Sequence, residues 1–218
     1  MQLPKQHIIH QNHFWLSAER CIYWEEEKAL IVSDLHFGKT GHFRKSGIAV
    51  PQNVFKEDLQ RLVTQIQHYK PQQLLVVGDM FHSSANKELE LFLKWRNDLS
   101  QLNIHLIKGN HDILKAAWYE QADIIVHPKQ YSINGFCFAH DVAQAHCNES
   151  AEYFFTGHIH PGIVISGMGK QSLRFPCFYF NHQFAILPAF SRFTGLASID
   201  VKKNDSVYAI VEKTIIKV

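Results

Sequence analysis

The 218-residue sequence has little net charge, few cysteines and no long apolar run, and each shortage excludes a class of protein. Lys and Arg total 22 against 20 Asp and Glu, a formal charge of +2. Bulk charge therefore does not point to nucleic-acid binding, although a local basic face is compatible with it. The four cysteines, Cys21, Cys137, Cys147 and Cys177, form no C-x-x-C pair and lie mostly among apolar residues. Reduced thiols are expected, most of them acting as small buried hydrophobes. No apolar stretch approaches membrane-spanning length, and the opening MQLPKQHIIHQNHFW lacks the basic and apolar segments of a secretory signal. A soluble, cytoplasmic protein without a membrane partner is expected. Internal repeats, low-complexity tracts and Pro/Gly/Ser-rich linkers are also missing, so residues 1–218 are read as a single domain.

Against these shortages stands a surplus of histidine, 15 residues in all. A lone imidazole is usually solvated, so what matters is whether several fall at positions that make chemical sense together. The apolar pattern shows that they do. Ile22-Tyr23-Trp24 and Ala29 to Val32 read as strands around a polar turn, and the second runs into Ser33-Asp34-Leu35-His36. Leu74 to Val77 leads to Gly78-Asp79, Ile104 to Ile107 to Gly109-Asn110-His111-Asp112, Phe136 to Phe138 to His140, and Tyr153 to Phe155 to Gly157-His158-Ile159-His160. Five strand-like segments thus deliver polar residues at their C-terminal ends.

Asn53 to Tyr69 repeats its apolar residues at helical spacing and is followed by Pro71; a second helix is expected over Lys87 to Leu102 and a third from near Ile113. Alternating strands and helices indicate an α/β layered fold. Beyond His160 the pattern is of strands, at Phe175 to Phe180, Phe184 to Leu187, Ala197 to Val201 and Val207 to Val211, the last two read as a hairpin around Lys202-Lys203-Asn204-Asp205. A second, largely antiparallel sheet is expected from them.

Ligands in open α/β sheets collect at the carboxyl ends of strands. Asp34, His36, Asp79, Asn110, His140, His158 and His160 should therefore converge, and their mixed oxygen and nitrogen donors suit Mn, Fe, Zn or related divalent ions. Seven ligands exceed the need of one four-coordinate zinc. Two ions sharing a carboxylate account for them, and such a pair clamps both the attacking and leaving oxygens of a displacement at phosphorus.

Taken in order, Asp34-Leu35-His36, Gly78-Asp79, Gly109-Asn110-His111-Asp112, His140 and Gly157-His158-Ile159-His160 resemble the five motifs of calcineurin-like metallophosphoesterases. The resemblance implies a four-layer αββα sandwich, with two mixed sheets flanked by helices. It implies that Asp34, His36, Asp79 and His160 hold one metal and that Asp79, Asn110, His140 and His158 hold the other, bridged by Asp79. Manganese is the favoured ion, with Fe, Zn and Mg as alternatives. His111 would then stabilise the transition state or protonate the departing oxygen, while Asp112 orients its ring.

A narrower resemblance covers most of the chain. Ser33 to Lys39, His42 to Pro51, Gly78 to Ser83, Arg174 to Phe178, and Leu187-Pro188-Ala189-Phe190 with Phe193-Thr194-Gly195 look like the bacterial ligase-associated DNA-damage-response phosphoesterases of the PdeM type. Ala139-His140-Asp141 departs from the usual surroundings of the fourth motif but retains its ligand. What this implies is an endonuclease or phosphodiesterase of DNA repair, with DNA as substrate and a DNA ligase, a helicase and an exonuclease-like nuclease as partners. Two rival readings use the same metals: a small-molecule phosphodiesterase or nucleotide pyrophosphatase, and a non-catalytic metal-binding subunit of a repair assembly.

Other residues are weighed individually. His42, Arg44 and His82 are candidate substrate contacts, with a solvated basic loop and a helix cap as the plainer alternatives. A surface salt bridge is expected of Arg174. His7, His10 and His13 have no matching ligand set, so no N-terminal metal site is expected. Trp15, Trp24, Trp95 and Trp118 read as core or interface residues.

Overall fold

The computed structural model describes residues 3–41, 47, 53–82, 87–144, 151–167 and 171–218. Its first sheet runs in the order β1 (Lys5–Ile9), β2 (Asn12–Ser17), β3 (Cys21–Trp24), β4 (Ala29–Val32), β5 (Gln73–Val77), β6 (Asn103–Ile107), β7 (Ile124–His127). The β1 to β4 pairs are antiparallel and the β4 to β7 pairs parallel, which makes the sheet mixed. Sequence reading missed the β1–β2 hairpin because its histidines and asparagine interrupt the apolar alternation. His10 and Gln11, both at positive φ, make its two-residue turn.

The period of two decides how this sheet is covered. Leu30, Val32, Leu74, Val76, Ile104 and Leu106 face one side, where they pack on α1 (Asn53–Tyr69), α2 (Lys87–Asp98) and α3 (Ala116–Gln121). Ile31, Leu75, Val77 and Ile107 face the other. There they meet Phe136, Phe138, Phe155, Phe178 and Phe180 of the second sheet, so an aromatic-rich core lies between the two sheets. The expected first helix is found over its full length, the second ends at Asp98 rather than Leu102, and the third starts at Ala116.

The second sheet has the order β14 (Ala197–Ser198), β11 (Pro161–Ser166), β12 (Ser172–Phe180), β13 (Phe184–Ile186), β10 (Tyr153–Thr156), β9 (Phe136–Ala139), β8 (Gln130–Ile133), with β15 (Ser206–Val211) and β16 (Thr214–Lys217) attached through β12. Parallel β9–β10–β13 pairs and antiparallel neighbours make it mixed as well. Its far face is closed by a small cluster around Cys177, Tyr179, Ile186 and Val207; among the described residues every α-helix buries its apolar side against the first sheet.

The expected hairpin around Lys202 to Asp205 does not form. β14 is short and pairs in parallel with β11, whereas β15 turns through Glu212-Lys213 to pair with β16. The turn residue Glu212 has φ of 54°, so backbone conformation, invisible in the apolar pattern, sets the reversal. Cys21 and Cys177 are buried free thiols as expected, but Cys137 is disulfide-bonded and corrects the expectation of four reduced cysteines; Cys147 lies outside the described residues. No helix among the described residues is long and apolar enough to cross a membrane.

Candidate metal centre

All five motif strands end on the same edge of the two sheets. Asp34 and His36 follow β4, Asp79 follows β5, Asn110 follows β6, His140 follows β9, and His158 and His160 follow β10. Backbone bonds weld these loops together: Asp34 N–H donates to Gly78 O at 3.1 Å, His36 N–H to Asp79 O at 2.8 Å, and Gly157 N–H to His140 O at 3.0 Å.

Two groups of donors result. Asp34, His36 and His160 bring ligand atoms within 4.8 Å of one another, and so do Asp79, His140 and His158. Asn110 joins the second group, its Oδ1 lying 3.3 Å from His140 Nε2. The groups adjoin, because Asp34 Oδ2 accepts the His158 backbone N–H at 3.1 Å. This is the partition expected from the sequence, apart from the shared role of Asp79.

The donor set fits divalent cations. His36 Nε2 faces His160 Nε2 at 3.4 Å, and His158 Nδ1 faces His140 Nε2 at 3.1 Å. Imidazole nitrogens aimed at each other and at carboxylates are better satisfied by a shared cation than by one another. Asp34 Oδ1 is buried and accepts no hydrogen bond among the described residues; its nearest partner is His160 Nε2 at 3.3 Å.

Electrostatics point the same way. Burial pushes His36 down to about 3 against the pull of Asp34, so its ring is neutral and able to ligate. Burial also opposes charge on His140, but the Asp79 hydrogen bond and the charges of Asp34 and Asp79 prevail and raise it to about 9. Asp79 is the counterpart: burial disfavours its charge, yet His140 and the His111 N–H hold its pKa well below the usual carboxylate range.

The backbone is unusual here. Asp34, His36, Asp79, His158 and His160 all have φ between 48° and 67°, in the left-handed region that side chains seldom occupy. Gly78 has φ of 79°, and a methyl there would land on the His140 ring; one at Gly109 would land on the Asp79 carboxylate. These glycines let two loops close over the ligands.

His111 stands at the junction of the two groups. Its Nε2 lies 4.0 Å from Asp79 Oδ2, its ring centroid is 5.6 Å from that of His36, and its side chain is 41% exposed. Asp112 does not perform the expected task of orienting that ring. Its carboxylate is buried and accepts the N–H groups of Phe81 and Gly109, both at 2.9 Å, so it ties the second and third motif loops together. Burial pushes it up to about 6 despite these donors.

His82 is brought to the site, its ring centroid 4.2 Å from that of His111, while its backbone N–H donates to Phe37 O. His42 and Arg44 lie outside the described residues. Arg174 makes no salt bridge among the described residues and donates instead to Leu196 O at 3.1 Å. The N-terminal histidines have separate partners, Tyr208 for His7, Glu152 for His10 and Glu26 for His13.

Sequence reading missed the second tier. Ser33 Oγ donates to Asp34 Oδ2 at 2.7 Å, and Phe190 and Ser191 N–H groups donate to Ser33 O and Asp34 O. Adjacency to Asp34 was the available signal for Ser33. Phe190 lay in a segment that carries the narrower resemblance, but nothing in the sequence linked it or Ser191 to Ser33 and Asp34, more than 150 positions away.

Comparisons with known proteins agree with this geometry. Residues 28–176 match the family described as calcineurin-like phosphoesterase. Nuclease MPE of Pseudomonas putida is similar in structure, at TM-score 0.82 and 27% identity over 99% of this chain and 100% of that one. Weaker likenesses are to YfcE, a phosphoesterase from E. coli (TM-score 0.43, 12% identity, 87% of this chain and 97% of that one), and to AQ665 of Aquifex aeolicus, of unknown function (0.44, 15%, 61% and 78%). No curated protein matches. With the family match spanning the strands and loops that carry both ligand groups, the chain belongs to the calcineurin-like phosphoesterases.

Proposed function

We propose that residues 1–218 form one domain that hydrolyses phosphodiester bonds in nucleic acid with two divalent metal ions. The observation that carries this reading is the junction itself: two adjoining His and carboxylate groups, with the solvent-facing His111 above them. Asp34, His36 and His160 would hold one ion and Asp79, Asn110, His140 and His158 the other; a bridging role for Asp79 follows from the family resemblance. When bound, such ions polarise the phosphoryl oxygens and lower the pKa of water. The chain's own residues supply the rest. Asp34 and Asp79 are fixed by backbone donors, so the donor array is set before substrate arrives. His111 is placed to give a proton to the departing oxygen, as imidazole does near neutral pH.

The choice of nucleic acid is supported by the full-length likeness to a nuclease and by the resemblance of the motifs to DNA-repair phosphoesterases. Manganese and the repair partners ligase, helicase and exonuclease-like nuclease follow from that resemblance, and a cytoplasmic location from the sequence's lack of a secretory signal or membrane-length apolar run. The test is hydrolysis of bis(p-nitrophenyl) phosphate and of a DNA oligonucleotide with manganese. Asp79→Asn and His140→Ala are expected to abolish both activities. His111→Ala should lower kcat by about 10²- to 10⁴-fold while still binding metal by calorimetry. Wild-type activity that survives complete chelation would refute the mechanism.

A further inference from the structure

The segment from Pro188 to Ala197 is tied at both ends to the loops that carry Asp34 and His160. Near one end, Phe190 and Ser191 donate to the carbonyls of Ser33 and Asp34; at the other, Ala197 donates to His160 O at 3.0 Å. Two arginines hold it from beneath. Arg20 Nη1 donates to Ala189 O and Ser191 O, and Arg61 donates to Phe190 O through both terminal nitrogens while stacking 4.3 Å from the Phe190 ring centre. Three successive carbonyls are thereby held in place, and the segment forms a rim.

Between this rim and the loop after His36 lies a cleft of about 310 Å³, lined by Lys39, Arg192, Phe193, Thr194 and Gly195. Its charge is positive. Arg192 is half exposed and reaches Glu19 at 3.3 Å, but that carboxylate already serves Arg61 at 2.9 Å. Arg61 also pairs with Asp58 at 2.6 Å, so the three guanidinium groups of Arg20, Arg61 and Arg192 face two carboxylates, Glu19 and Asp58, and one positive charge is left over. Lys39 is half-buried in the same wall; its desolvation is offset in part by the Asp34 and Asp79 charges. A basic pair beside an aromatic ring, next to a phosphoester-cleaving centre, matches the two features of a nucleotide, its phosphate and its base.

We propose that this cleft is a nucleotide subsite: Lys39 and Arg192 hold the backbone phosphate next to the scissile one, and Phe193 carries the adjoining base. The assignment rests on the phosphodiesterase reading of the metal centre, and it makes these three side chains the source of preference for a strand over a small diester.

The experiment combines binding and cleavage in the full chain. Binding of 5′-fluorescein-labelled dT12 is followed by anisotropy across a salt series, and cleavage of the same strand and of bis(p-nitrophenyl) phosphate is measured with manganese. Arg192→Ala is expected to weaken binding at least fivefold and to reduce the salt slope by about 0.7, the share of one phosphate contact on a single strand. Phe193→Ala should weaken binding at least fivefold with the slope unchanged, and Phe193→Tyr should restore it. Both alanine variants should lose about tenfold more kcat/KM on the strand than on the small diester. Thermal melts confirm that the variants are folded. Wild-type binding by folded Arg192→Ala and Phe193→Ala overturns the subsite, as does an equal loss on both substrates. A wild-type protein that cleaves neither substrate refutes the phosphodiesterase reading, and the anisotropy series still decides the subsite.

Discussion

At the scale of single residues, the site depends on what is small as much as on what is charged. A metal ligand must reach its position, and here the backbone is bent into the left-handed region at five of the seven expected ligands to let it do so. Gly78 shows the cost of crowding that geometry. Its φ of 79° disfavours any side chain, and a methyl would occupy the space of the His140 ring. Gly78→Ala is expected to destabilise the protein by roughly 2–4 kcal/mol and to weaken metal binding at the second group. A denaturant melt and a metal titration of the same variant check this, and wild-type values in both would remove the packing argument. Asp112 teaches a related lesson. The family resemblance implied that it orients the neighbouring His111 ring, whereas its oxygens serve the backbone of two loops. Sequence adjacency shows which residues travel together and leaves the direction of each side chain open.

At the scale of elements, the β1–β2 hairpin illustrates how a polar edge is fastened to the second sheet. His7 of β1 has its Nδ1 3.1 Å from the Tyr208 hydroxyl and its ring 4.1 Å from that of Phe180, so it joins β1 to β15 and β12. Burial, with a smaller contribution from Lys217, lowers its pKa to about 4, below the ordinary value of 6.5. The unfolded chain therefore takes up a proton in a range where the folded chain does not. The contribution of this group to stability is complete above about pH 6.5 and declines as pH falls toward 4. Discounted for the ring's partial exposure, the loss is on the order of 1 kcal/mol. His7→Phe keeps the ring packing and removes the proton site. Melts of chelator-treated wild type and His7→Phe at pH 7 and 4.5 should show a smaller drop for the variant, and parallel drops would count against the linkage.

At the scale of the whole molecule, the candidate metal centre joins the two halves of the chain. Four strand-end loops before residue 145 and one after it supply its donor groups, and both sheets meet at the shared edge. Ions that bind only the folded protein must stabilise it as a unit. Manganese at about 100 times its Kd should add about 2.7 kcal/mol per independent site, which for a chain of this size raises Tm by roughly 5–10 °C. Calorimetry with manganese and then with excess chelator measures it. Identical melting temperatures in the two conditions would leave the paired donor groups without their assigned role.

Much of this was legible in the chain. Short continuous apolar runs located all five motif strands, and helical spacing located the long helix Asn53–Tyr69, because hydrophobic pattern is a local property and burial follows it. The order of Asp, Asn and His residues at strand ends then specified which side chains converge within each sheet, since parallel strands that share a sheet end on one edge, and the packing of the two sheets brought both sets together. Tertiary structure alone decided the rest. It set the pairing of β14 with β11 in place of the expected hairpin, the turn of Asp112 toward backbone, and the capture of three rim carbonyls by Arg20 and Arg61. Each depends on groups far apart in sequence or on a backbone angle, and neither leaves a period or a motif in the sequence. The sequence by itself determined which atoms could serve as ligands; the fold determined how close they stand and what lies beside them.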